Sequence, residues 1–149
     1  MSSELVGDAL NRAIAAALGV RLYRVRYVGD NPTLQDDIVI YLYVPGDPII
    51  DGAEWIPVGD EDERFQLELH RRELDWAHDS GAALLLCIDL LDRLNARDHS
   101  DWELTFGTEF VSFRLLEYGG AIRDSFGVDG RGAESLAQLA LITLKEFQS

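Results

Sequence analysis

The chain has 149 residues, 47% of them apolar, and 27 acidic against 13 basic side chains give a net charge of −14. That length builds one core of ordinary size and is too short for two; no run approaches the ~20 apolar residues of a membrane-spanning helix. The charge repels a phosphate backbone and so argues against direct nucleic-acid binding.

The start, "MSSELVGDAL", lacks a basic region followed by an apolar one, and Cys87 is the only cysteine. A cytoplasmic protein without an internal disulfide is therefore expected. Ser3 is placed to cap a helix from Glu4 to about Leu18, with Val6, Leu10, Ala13, Ala17 and Leu18 on one face and Gly19 at its left-handed end. "VRLYRVRYV" sets Tyr23, Val25 and Tyr27 against Arg24 and Arg26, the period of a strand. After "GDNPTLQDD", the β-branched and aromatic run "IVIYLYV" predicts an antiparallel partner that stops at "PGDP". Ile40 and Leu42 share one side of that strand. Tyr41 and Tyr43 take the other, as an exposed aromatic surface if no helix covers them and as core if one does.

An irregular stretch around Trp55 and Pro57 leads to the carboxylate run Asp60–Glu63, and "RFQLELH" behind it alternates Phe65, Leu67 and Leu69 with polar residues, predicting a third strand. Asp75 or Asp79 then opens a long helix with Ala83, Cys87, Leu90, Leu91 and Leu94 on its apolar face. "WELTF" and "EFVSFRLLEY" flank Gly107-Thr108, which suits a two-residue hairpin of type II′. A glycine-rich loop, Gly127 to Gly132, delivers the chain into a closing helix from Ala133 to Phe147, apolar enough to be buried on more than one side. The order α-β-β-β-α-β-β-α predicts a single α+β domain, an antiparallel sheet with packed helices.

Charge is unevenly placed along this order. Residues 1–29 carry +2, residues 30–63 carry −10 with no lysine or arginine, and residues 64–149 carry −6. Asp36, Asp37, Asp47, Asp51, Glu54, Asp60, Glu61, Asp62 and Glu63 form the candidate partner-binding surface, since such a stretch attracts basic proteins within a Debye length.

Motifs for chemistry are sparse. "GDEDER" fails the ligand order of a calcium loop because Arg64 stands at the third ligand position; in "SFGVDGRGAE", Asp129 and Glu134 fit the second half of one, but Ser125 and Gly127 replace the first carboxylates. Asp75 and His78, three apart, resemble half of a carboxylate–histidine metal pair whose second half is missing, and His70 and His99 lie in polar surroundings without zinc spacing. There is no nucleophile elbow, phosphate loop or dinucleotide fingerprint, and Cys87 lies on a buried helix face where thiols are inert. No catalytic residue, metal ligand or cofactor is assigned on these grounds.

The segments "LNRAIAAALGV", "LDWAHDSGAALLLCIDLLDRL", "WELTFGTEFVSFRLLEYG" and "GAESLAQLALITLKEF" follow one another in an order that resembles the phage ABA sandwich domain family. The resemblance covers about two thirds of the chain and implies a phage or prophage accessory protein, in a family with no catalytic residues to carry over. Three readings are expected from all of this. The first is a non-catalytic protein that binds a basic partner, such as a host surface meant for nucleic acid. The alternative is a small enzyme using carboxylates such as Asp60 or Asp75 with His70 or His78, or an acidic domain without a specific partner.

Overall fold

In a computed structural model of the chain, residues 5–27, 38–49, 51–58, 63–98 and 101–148 are described. The first helix, α1 (Gly7–Leu18), stops at Gly19, whose φ of 81° is the left-handed conformation expected of it. Its start differs from expectation. Ser3 and Glu4 lie outside the described residues, and the N–H of Gly7 donates instead to the Glu134 carboxylate at 3.2 Å, a cap supplied from the far end of the chain. Leu10, Asn11, Ile14 and Ala15 form the buried face.

Strands β1 (Arg21–Tyr27), β2 (Ile38–Tyr43) and β3 (Ala53–Pro57) make a three-stranded antiparallel sheet in the order β2-β1-β3. The predicted hairpin pairs as expected, but the third strand of this sheet is Ala53–Pro57. The stretch read as a strand is the helix α2 (Glu63–Arg71), which buries Phe65 and Leu69 and leaves Leu67 exposed. Phe65 and Leu69 are four apart, so the alternation that suggested a strand also satisfies a helical stripe. Local charge adds to the helix: Glu68 pairs with Arg64 at 3.7 Å and with Arg71 at 3.0 Å, contacts made at helical spacing.

The long helix, α3 (Ser80–Asp98), begins at the second of the two expected positions, after Asp79 and not Asp75, with Asp79 Oδ1 accepting from the N–H groups of Gly81 and Ala82 at 2.9 and 3.3 Å. Strands β4 (Asp101–Phe106), β5 (Phe110–Leu116) and β6 (Ile122–Asp129) form a second antiparallel sheet in sequence order. Here the glycine-rich loop of the sequence turns out to begin as a strand, and Gly127 sits in it opposite Ser112. The β4–β5 turn is a hairpin as expected, yet Gly107 does not have a positive φ; the Phe110 ring lies where a Gly107 side chain would stand.

The closing helix, α4 (Ala133–Gln148), packs on α1, on α3 and on β5 and β6, which explains its wide apolar surface. Gln138 donates to the Leu5 carbonyl and Gln148 to that of Ala17, so α1 and α4 lie side by side in the same direction. Two antiparallel sheets with packed helices make this an α+β fold. The expected succession is present with one helix, α2, and one strand, β6, added to it.

Candidate interaction surface

The two faces of the first sheet differ because its strands alternate. Leu22 and Leu42, paired in register, enter the common core with Phe65 and Leu69. On the other face the register brings Tyr23 opposite Tyr41 and places Tyr43 and Trp55 beside them. Trp55 meets Tyr23, Tyr41 and Tyr43 at centroid distances of 5.4, 5.7 and 6.0 Å, each nearly perpendicular. All four rings are half-buried, while Val39 and Ile49 around them are 57% and 70% exposed. No described helix covers this side, and Tyr41 and Tyr43 are partly exposed there.

The acidic candidates fall into several places. Asp36, Asp37, Asp60, Glu61 and Asp62 lie outside the described residues. Asp47 is not available as a displayed charge: it pairs with Arg72 at 3.3 Å and accepts from the Tyr41 hydroxyl and the Val44 N–H, both at 3.1 Å. The Val44 N–H and then Arg72 hold its carboxyl below the usual carboxylate range. Asp51 and Glu54 are exposed at the end of the sheet where Glu54 stands opposite Arg26. Glu63 is exposed at the first turn of α2, about 13 Å along the helix direction from Arg72.

A second cluster forms where α1 meets the turn between α2 and α3. Asn11, wholly buried, donates to Asp75 Oδ1 at 2.5 Å and to Gln66 Oε1 at 3.2 Å, and its oxygen accepts from the Ala77 N–H at 2.9 Å. Asp75 Oδ1 in turn lies 2.8 Å from His78 Nδ1. Gln66, Asp75 and His78 edge an open cleft of about 480 Å³ that Asp8, Arg12, Glu63 and His70 also line. Burial opposes ionisation of Asp75, but hydrogen bonds from His78 and Asn11 outweigh it and lower its pKa. The bond to Asp75 raises that of His78 against its slight burial, and the charges of Asp75, Asp8 and Glu134 add to the effect. A carboxylate that fixes Nδ1 leaves Nε2 as the imidazole nitrogen able to exchange protons. Sequence reasoning had named Asp75, His78 and His70 but missed Asn11. Its signal was a lone amide on the same helical stripe as Ile14, Ala15 and Leu18.

Other candidates are absorbed by structure. Glu134 caps α1, the Asp129 carbonyl accepts from the Ser135 hydroxyl at 2.8 Å, and Ser125 and Gly127 belong to β6. Among the described residues no group of three or more histidine, cysteine or acidic side chains is arranged to hold a metal. Cys87 is buried, its thiol 3.3 Å from the Leu136 carbonyl, and burial pushes its pKa up to about 12, so it is unreactive. His99 is outside the described residues. No described helix is long and apolar enough to cross a membrane.

Comparison with known proteins gives no relative: no family model matches the chain, and neither a curated protein nor a solved structure matches it.

Proposed function

We propose that the chain is a non-catalytic binding protein for a basic protein partner, engaged through the outer face of the first sheet and the exposed acids around it. The observation that carries this reading is the cluster of Tyr23, Tyr41, Tyr43 and Trp55 on a sheet face that no described helix covers. Tyrosine and tryptophan are enriched in protein interfaces because they supply large, stiff contact area with a polar edge. Its two outer strands, β2 and β3, belong to the stretch of residues 30–63 that holds ten acids and no base, which selects for a basic partner and speeds its approach. A phage or prophage accessory protein that occupies a basic host surface is the setting we propose, supported by the segment order that resembles the phage family. The test is capture from host extract across a salt series. A basic partner should be retained at low salt, released at high salt, and lost when Asp51, Glu54 and Asp60 to Glu63 are changed to Asn and Gln. Equal recovery by that variant overturns the reading.

A second reading, an acid–base enzyme, is favoured by one observation: His78 is oriented by Asp75, and Asp75 by buried Asn11, at the edge of a cleft. Such a chain positions a base for water or a hydroxyl. Turnover of any ester or phosphoester that Asp75→Asn and His78→Gln both reduce by about 100-fold supports it; turnover indifferent to both variants dismisses it.

A further inference from the structure

We infer that the aromatic face holds a pocket for the cationic side chain, arginine or lysine, of a basic partner segment. The inference rests on the partner-binding reading and adds the chemistry that is recognised. Tyr23, Tyr43, Ile49 and Trp55 line a concavity of about 340 Å³, roomy enough for a long side chain and part of its neighbour. Tyr23 and Tyr43 stand at 80° and 85° to the indole, so the rings meet as walls and floor. Tyr41 backs the cluster, steadied by its hydroxyl's bond to Asp47.

Ring faces carry the negative end of the aromatic quadrupole, and among side chains tryptophan and then tyrosine attract cations best. The protein already uses this interaction on weaker rings. Arg97, Arg114 and Arg131 lie 5.1, 5.9 and 5.8 Å from the ring centres of Phe147, Phe110 and Phe106. None of these three arginines reaches the tyrosine–tryptophan cluster, where the attraction for a cation is greater. Arg21, opposite Tyr43 at the start of β1, is the one basic residue that the register places on this face among the described residues, at its margin.

Charge selects the occupant among those that would fit by shape. The molecule carries −14, and residues 30–63, which supply β2 and β3, carry −10. An anion is repelled by the field and by the ring faces together, and a neutral aliphatic side chain gains contact with the rings but nothing from the field. A cation gains from both.

The test uses the full chain and calorimetric titration with two short peptides of one sequence, the first with arginine at its central positions and the second with citrulline, a neutral group of nearly the same shape. The arginine peptide should bind, the citrulline peptide should bind about tenfold more weakly, and Tyr23→Leu with Tyr43→Leu should weaken the arginine peptide about tenfold. Circular dichroism confirms that the double variant is folded, and Trp55→Phe, which keeps a ring of lower quadrupole, should give an intermediate loss. Equal binding of the two peptides overturns the inference, as does unchanged binding by the folded double variant. If Asp51→Asn with Glu54→Gln weakens the arginine peptide while the ring variants do not, the pocket is wrong and the acidic surface stands. Should neither set of variants alter binding, both readings fail.

Discussion

Asn11 and His78 show how much one side chain commits in this fold. Asn11 is buried and bonds to Gln66 in α2 and to Asp75 and Ala77 in the turn that follows it, so the amide fastens α1 to residues more than fifty positions away. His78 makes that fastening pH-dependent. Its folded-state pKa lies above the ordinary value of 6.5, so the stability it adds is complete below that value and is lost as pH rises through the raised pKa. Asp75 is depressed below 3.8, so its share is present above that value and lost as pH falls through the lowered pKa. Urea unfolding should therefore show a plateau between these ordinary values and a decline on the alkaline side. His78→Gln should remove the alkaline decline, and because the imidazole is largely exposed the change should be under about 1 kcal/mol. An unchanged alkaline limb in the variant would mean that another group titrates there. At this scale the sequence was only partly readable. Asp75 with His78 was visible as a spacing of three, whereas the partner that orients them comes from another helix and leaves no local pattern.

The elements show which sequence signals survive packing. α3 and α4 were legible in outline, because a capping aspartate and a long apolar stripe have one interpretation each. α2 was not, since Phe65, Leu67 and Leu69 have a period of two while Phe65 and Leu69 alone also fit a helical stripe. β6 was hidden by Gly127, which reads as a loop signal and serves in the strand as a gap. A Cβ at Gly127 would stand 2.6 Å from both the Ser112 Cβ and the Val111 carbonyl oxygen. The oxygen belongs to the paired backbone and cannot move cheaply. Gly127→Ala should accordingly destabilise the protein by about 1–3 kcal/mol through overpacking, read as a lower denaturant midpoint. Gly132→Ala is the control, since a Cβ there meets nothing within 4 Å. The aromatic face was half legible: Tyr41 and Tyr43 were placed on one side of β2, but Trp55 joined them only once "AEWIP" was seen to be the edge strand β3.

At the scale of the whole molecule, the fold class followed from the order of elements and the division into two sheets did not, because strand partners far apart in sequence are set by packing and not by local pattern. Net charge acts here as well. Five described ion pairs involve Glu68 twice and Asp47, Asp75 and Asp89 once each, so most of the 27 acids are not matched by them. The folded state concentrates that repulsion, and added salt screens it. Raising sodium chloride from low ionic strength to that of the cell should raise Tm by roughly 2–4 °C for each kcal/mol of repulsion removed. A Tm that falls with salt would mean that the ion pairs outweigh the repulsion.

The carboxylate of Glu134 at the start of α1, with Gln138 and Gln148 further along, bears on the order in which the molecule can be completed. A ribosome releases α1 well before α4, yet α4 is the main packing partner of α1. During synthesis, therefore, the apolar stripe of Leu10, Ile14 and Ala15 waits without its permanent neighbour while every strand emerges. Closing that long loop is a slow step. The nascent chain is thus exposed to misassociation until the sixteen residues of α4 have cleared the exit.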